Sequence, residues 1–443
     1  MKNRWVVALA GVLVMVCLGT VYSWSLFTQP LLASFGWSNT TTTWAFALAN
    51  LFLGIGAAVG GRWQDVSGPR FVLLAAVVMW GAGNILAGLG TPQFGPLWLY
   101  ATYGVLGGLG LGFGYIACVS AVIKWFPDAR GFGGGLIIMG FGLGSYIYNN
   151  ALKYMPTFTD VAKAAGVYAK AKTDALAAHV AFDHYRYSLA PSQVHDLMTI
   201  FVLSGIAIII VGLACAVFVD NPPALYIRPG RAAAATLATR PFTTEEMLTT
   251  GQFYMQWLML FLNVSCGILL ISNAVPIIQE LSKAPVAVAA AAYATVAIAN
   301  GTGRIVWGTL SDYIGRNAAF VFIFGLQVAV YFTLGHLTDI TFIAASYFIV
   351  LLSYGGGFGV MPAFNADYFG TKHFGANYGL VLTAWGCAGL LGPLFISAVK
   401  DATGSFSGAI VPAAILPIVA MIIPFIIRKP EETAAPATLP AAQ

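Results

Sequence analysis

Gly61-Arg-Trp-Gln-Asp65-Val-Ser-Gly68-Pro-Arg70 and Gly308-Thr-Leu-Ser-Asp312-Tyr-Ile-Gly315-Arg316 follow one pattern, G-x3-D-x2-G with an Arg beside it, offset by 247 residues. Gly112-Phe-Gly114 and Gly357-Phe-Gly359 match at an offset of 245. A lone glycine match carries little weight, but two that share an offset point to an internal repeat. The neighbouring stretches say what is repeated. Val6 to Leu26 and Phe71 to Leu89 are apolar runs of the length that crosses a hydrocarbon core about 30 Å thick as a helix. Of 443 residues, 59% are hydrophobic and 8% charged, against about 25% charged in soluble domains. The runs are continuous rather than alternating, which excludes a porin-like barrel. The sequence therefore predicts an all-α polytopic membrane protein, with 12 transmembrane helices in two pseudo-symmetric six-helix halves of parallel orientation.

The spans are expected at 5–33, 41–61, 71–90, 97–123, 131–152, 197–219, 250–280, 286–310, 318–336, 340–366, 375–399 and 405–427. This divides the chain into an N-terminal half 1–220 containing an insertion 153–196, a linker 221–248, a C-terminal half 249–428 and a tail 429–443. An even count puts both termini on one face. The loops of that face hold thirteen Lys and Arg, from Lys2 and Arg4 to Arg428 and Lys429, whereas the opposite short loops hold only Lys283 and Lys400. The positive-inside bias then makes the terminal face cytoplasmic in an inner (plasma) membrane, with both termini inside and the insertion outside. Tyr22-Ser23-Trp24 with its bulky neighbours is a poor cleavage site, so the first helix is expected to be retained. Within the insertion, the stretch from Lys163 to Leu176 reads as a charged helix outside the membrane.

Several function classes fall away. The net charge of +5 comes from basic residues scattered one or two per loop, which is no nucleic-acid surface. The five cysteines lie in apolar runs without paired spacing, so no metal or other cofactor is expected. No nucleophile elbow, HExxH or phosphate loop argues for an enzyme. The linker and tail are too short for the signalling domain of a non-transporting carboxylate sensor. The partners expected are the lipid bilayer, a small solute and possible protons, for a monomer.

The repeated loop has a physical reading. Glycines let helix ends approach closely, and an Asp can cap a helix start and meet an Arg across a packed corner. Such a corner must part when a central cavity opens, so Asp65, Arg70, Asp312 and Arg316 are read as gate residues. A merely structural tight turn is the competing reading. Asp367, just before Gly370, is placed with the gate rather than as a proton site.

Arg304 lies inside an apolar span, Ala297-Ile-Ala-Asn300-Gly-Thr-Gly-Arg304-Ile-Val-Trp307. A central Arg costs about 2.5–3.5 kcal/mol on insertion scales. One explanation is snorkelling to the interface, as Arg304 is eight residues before Asp312, about 12 Å. The other is a guanidinium facing a cavity and pairing bidentately with a carboxylate. All sixteen acidic residues fall in loops or span ends, leaving no fixed counter-ion, so an anionic substrate is favoured. Asn273 and Asn300 are candidate partners, because amides in an apolar span seek polar company.

Tyr22-Ser-Trp24 with Pro30, Trp125-Phe-Pro-Asp128-Ala-Arg130-Gly131, Glu246-Met-Leu, Asn273-Ala-Val-Pro276, Asn365-Ala-Asp367-Tyr-Phe-Gly370 and Asn377-Tyr-Gly379 resemble the major facilitator superfamily. Within it the chain is similar to the oxalate/formate antiporter family, whose relatives include monocarboxylate transporters. The resemblance covers nearly the whole chain except 153–196. It implies alternating access, a substrate-binding Arg at position 304, and cavity aromatics at Tyr22, Trp24, Tyr115, Tyr354 and Phe358. Two departures carry information. Resembling proton-linked monocarboxylate transporters place an Asp four residues before the Arg, where this chain has Asn300, which cannot titrate. Oxalate/formate antiporters pair the Arg with a basic residue in span 11, where this chain has Trp385. The expected function is a secondary transporter of a small monocarboxylate such as lactate, pyruvate or formate, by exchange or proton symport. Oxalate/formate antiport is the alternative.

Overall fold

The computed structural model describes residues 3–178, 180–223, 240–271, 274–392 and 407–430. Among the described residues, ten helices are long and apolar enough to cross a membrane. In the N-terminal half these are span 1 (Arg4–Phe35), span 2 (Asn39–Ser67), span 3 (Pro69–Phe94), span 4 (Pro96–Trp125), span 5 (Arg130–Lys153) and span 6 (Pro191–Ala216). In the other half they are span 7 (Gly251–Ile271), span 9 (Arg316–Leu334), span 10 (Ile340–Phe369) and span 11 (Phe374–Gly392). The two remaining spans are interrupted. Span 8 is Val286–Val296 followed by Ile298–Ile314, and span 12 is Ser407–Ala413 followed by Ile415–Ile426. Among the described residues no strand occurs and the spans are helical, the arrangement that hydrocarbon favours. Much of the expected linker, 224–239, and most of the tail, 431–443, lie outside the described residues.

The closing glycine of each repeated motif has a backbone reason. Gly68 stands at φ +83° between spans 2 and 3, and Gly315 at φ +89° between spans 8 and 9. Residues with a Cβ avoid that region, so glycine alone turns the chain sharply there. The opening glycine has a packing reason. A Cβ on Gly61 would stand 2.0 Å from the Gly375 carbonyl oxygen, and one on Gly308 2.4 Å from that of Gly131. Span 2 thus lies against span 11 and span 5 against span 8, one helix from each half in both cases. The contact continues inward through Gly142 against Gly301 and Gly54 against Gly386.

The insertion is shorter than expected, because span 5 runs to Lys153 and span 6 begins at Pro191. Its helix Pro156–Ala177 is not simply solvated. It turns Phe158, Val161, Ala165 and Tyr168 inward at helical spacing against the outer parts of spans 1 and 6.

Candidate functional site

Two sets of contacts join the halves: a polar layer at the terminal face and an aromatic box at mid-depth. In the polar layer, Asp65 accepts the amides of Gly375 and Ala376 at 3.1 and 2.8 Å, at the start of span 11. Asp312 does the same for span 5, accepting from Gly131 and Phe132 at 2.9 and 2.8 Å. Each motif Asp therefore caps a helix of the opposite half, where the helix dipole favours a negative charge. Around Asp312, Arg316 Nη1 lies 2.7 Å from its carboxylate, and Arg316 Nε donates to Asp367 at 2.9 Å. Arg130, on span 5, donates to the same Asp367 at 2.7 Å, tying the N-terminal half to span 10.

Arg70 departs from its expected role. It pairs with Asp220 at 2.9 Å, within its own half, and the cation near Asp65 is Lys124 at 3.6 Å. The reason is one residue of spacing. Arg316 follows its Asp by four residues, but Pro69 intervenes in the first motif and Arg70 follows Asp65 by five, which turns it to another face.

Beneath the polar layer lies Arg304, whose side chain is fully buried and does not snorkel. Its Nη1 donates to the Ile138 carbonyl of span 5 at 3.2 Å and its Nη2 to Asn300 Oδ1 at 3.4 Å. The guanidinium carbon stands 5.2 Å from the Phe358 ring centroid and 5.7 Å from that of Phe141, so aromatic faces rather than acids neighbour the charge. Among the described residues no carboxylate forms an ion pair with Arg304.

Trp385 completes the box. It is fully buried, with its ring centroid 4.7 Å from Phe358, 5.4 Å from Tyr115, 5.5 Å from Phe141 and 6.3 Å from Tyr22. The Tyr22 and Tyr354 hydroxyls meet across the halves at 3.5 Å. Tyr115, Phe141, Arg304, Phe358 and Trp385 each lie ten or eleven residues from the terminal-face end of their span, roughly 15–17 Å deep at 1.5 Å per residue. That is the middle of a bilayer core about 30 Å thick. Orphaned hydrogen-bonding atoms collect here: Arg304 Nε, Trp385 Nε1 and the Tyr115 hydroxyl are buried without a partner of hydrogen-bond geometry. Each of these groups can donate, which suits an occupant rich in acceptors.

The structure thus brings Arg304, Asn300, Tyr22, Tyr115, Tyr354, Phe358 and Trp385 together. Trp24 is not among them. It follows the tight turn Thr20–Ser23 and packs into the N-terminal half against Tyr103, at 4.6 Å between ring centroids. Asn273 lies outside the described residues. Phe141 was missed by sequence reasoning, since one aromatic in an apolar span looks like any other. The glycines Gly140 and Gly142 flanking Phe141 were the available signal.

Comparisons with known proteins agree with this architecture. The sequence model of the Major Facilitator Superfamily matches residues 9–150 and 193–366. The oxalate:formate antiporter of Oxalobacter formigenes is 30% identical, over 88% of this chain and 83% of that protein. Apicoplast pyruvate carrier 1 of Toxoplasma gondii is 26% identical, over 86% of this chain and 81% of that protein. The E. coli fucose:proton symporter FucP superposes with a TM-score of 0.65 at 14% identity, over 96% of this chain and 99% of that one, a likeness of fold alone. The chain belongs to the major facilitator superfamily, in the company of the oxalate:formate antiporter, and is a multi-pass membrane transporter rather than an enzyme.

Proposed function

We propose that the chain carries a small organic monocarboxylate across the membrane by alternating access between halves 1–220 and 249–428, joined by the linker 221–248. The observation that carries this reading is Arg304: a mid-depth cation with no acid beside it, in a box whose other orphaned polar groups can all donate. An arriving carboxylate supplies the missing counter-charge and acceptor atoms together. The polar layer of Asp65, Asp312, Arg316, Asp367 and Arg130 is the gate of the terminal face, which the charge bias assigns to the cytoplasm. Its ties from Asp65 to Gly375, from Asp312 to Gly131 and from Arg130 to Asp367 each join the two halves, which rocking would separate, and in this conformation they are made.

Asn300 stands where a titratable partner of Arg304 would be, which favours exchange over a proton carried at this position. The similarity to the oxalate:formate antiporter supports oxalate/formate exchange as a second reading. Among the described residues Arg304 is the single cation of the box, which argues against a dianion. The test is uptake of radiolabelled lactate, pyruvate, formate and oxalate into proteoliposomes, with and without internal carboxylate and with and without a proton gradient. Saturable monocarboxylate uptake that needs internal anion and is lost in Arg304→Ala is expected. Normal uptake by Arg304→Ala would remove Arg304 from the site, and acid-driven uptake into empty vesicles would replace exchange by symport.

A further inference from the structure

Two buried side-chain donors stand at corresponding places behind the box. Gln327 lies eleven residues after the start of span 9 and Trp80 eleven residues after the start of span 3. They are 247 residues apart, the offset of the repeated loop motif. At 1.5 Å per residue both are about 17 Å from the terminal face, at the depth of Arg304.

Gln327 is fully buried, and its Nε2 donates to Asn263 Oδ1 at 3.1 Å. Asn263, on span 7, is fully buried as well and passes the tie on, its Nδ2 donating to the Tyr354 carbonyl at 3.1 Å. Span 10 is soft at this point, because Tyr354 is followed by Gly355-Gly356-Gly357 and glycine is among the poorest helix formers. The same glycines admit the amide: a Cβ on Gly357 would overlap the Asn263 side chain, and one on Gly267 the Tyr354 ring. Asn263 and Gly267 are one turn apart, so a single face of span 7 holds Tyr354 twice, at its carbonyl and at its ring.

The N-terminal half has a counterpart. Trp80 is buried, and its Nε1 donates to the Cys17 carbonyl at 3.1 Å and to Thr20 Oγ1 at 3.3 Å. Thr20 Oγ1 donates in turn to that Cys17 carbonyl at 2.8 Å. Thr20 opens the tight turn Thr20–Ser23, whose third residue is Tyr22. In each half, therefore, the third span sends a donor to the backbone that carries one tyrosine of the box, directly from Trp80 and through Asn263 from Gln327. Those two tyrosines are the pair whose hydroxyls meet across the halves at 3.5 Å.

Resting on the site described for the proposed function, we infer that Gln327 with Asn263, and Trp80 with Thr20, are positioning residues, which fix Tyr354 and Tyr22 so that their hydroxyls meet across the box. A buried amide costs free energy unless it is hydrogen-bonded, and here each bond ends on the backbone whose setting decides where a tyrosine points. The competing reading is that these groups only fill and satisfy the interior of their own half.

The experiment places a fluorinated tyrosine at Tyr354 or at Tyr22 and follows its fluorine NMR resonance in the solubilised protein with no solute added. Gln327→Met is expected to displace or split the resonance at Tyr354 more than that at Tyr22, and Trp80→Phe the reverse. Because Gln327→Met strands the Asn263 oxygen, the double variant Asn263→Leu with Gln327→Met is compared with it. Replacing both partners by apolar groups of similar shape can be nearly neutral for stability. A Tyr354 resonance that stays displaced in the double variant at parental melting temperature supports positioning, whereas a return to the parental resonance would leave packing as the whole role and overturn the inference. Equal displacement of both labels by each single variant would overturn it too. A second arm measures kcat/KM for lactate uptake. Gln327→Met should lower it about tenfold in the parent and less than about twofold in Tyr354→Phe, because residues that act through one another are not additive. Additive losses would count against the tie to Tyr354. If Arg304→Ala takes up lactate as the parent does, the carboxylate reading fails, and the fluorine arm still decides the positioning.

Discussion

The Asp312 carboxylate accepts the Gly131 amide proton at 2.9 Å across the boundary between the two halves. Asp65 and Gly375 stand in the same relation, at 3.1 Å, with the halves exchanged. The repeat seen in the sequence is thus reciprocal in space: each half lends an Asp to a helix start of the other. A helix cap is worth about 1 kcal/mol and its charge–dipole part up to about another. Asp312→Asn is expected to cost roughly 1–2 kcal/mol of closure and to enlarge the open population several-fold. Hydrogen exchange would register this as faster loss of protection at the start of span 5, and Asp65→Asn should act on the start of span 11. A corner that serves only as a tight turn would alter exchange at its own residues and spare the opposite half.

Asp367 concentrates the ionic contacts of the proposed gate. Arg130 at 2.7 Å and Arg316 at 2.9 Å share it, and their side chains are only 9% and 13% exposed. Asp367→Asn leaves the poorly solvated Arg130 without its carboxylate and Arg316 with Asp312 alone, a far costlier state than a broken surface pair. Asp220→Asn is the control, because its partner Arg70 is 40% exposed. The expected order is a loss of several degrees in detergent melting temperature for Asp367→Asn and little change for Asp220→Asn. Equal losses would remove the special standing of Asp367.

What could be read from the sequence had one allowed solution. Gly68 and Gly315 need a positive φ, Gly61 and Gly308 need the absence of a Cβ, and Arg304 needs a reason to be at mid-depth. Each constraint survives in the letters. Trp24 and Tyr22 are only two residues apart, and the tight turn Thr20–Ser23 decides which of them enters the box. No letter records that turn.

The terminal face is predicted to be cytoplasmic and the insertion external. Val66, 87% exposed beside the first motif, and Lys170, exposed on the insertion helix, are suitable reporters. An impermeant thiol reagent added to intact cells should label Lys170→Cys and spare Val66→Cys, and inside-out vesicles should reverse the result. The opposite pattern would invert the topology.

Arg304→Lys tests whether planarity as well as charge matters. The guanidinium reaches the Ile138 carbonyl and Asn300 with different nitrogens and lies between two aromatic rings. A compact ammonium cannot form that fork and is more strongly hydrated. Uptake by Arg304→Lys is expected to fall at least tenfold in kcat/KM, a loss of about 1.4 kcal/mol or more. Parental kinetics would reduce the role of Arg304 to that of a point charge.

On the proposed function, Trp385 is expected to set the valence of the cargo. Its indole is ringed by Tyr22, Tyr115, Phe141 and Phe358, so the place next to the Arg304 site is bulky and uncharged. One guanidinium neutralises one carboxylate. The second carboxylate of oxalate would lie desolvated against aromatic carbon, a penalty of several kcal/mol even after relaxation. Oxalate should therefore compete at least about a hundredfold less well than lactate, which corresponds to about 2.7 kcal/mol. Trp385→Lys supplies a second cation and frees the volume of the indole. In the empty site it also sets two cations near each other, so the variant should be less stable alone and recover stability when oxalate binds. A melting-temperature rise with oxalate in Trp385→Lys, absent in the parent, together with a shift in competition toward oxalate, is the expected pair of results. Tight, transported oxalate in the unmodified protein would mean that a cation other than Arg304 reaches the site, and the single-charge account of the box would be wrong.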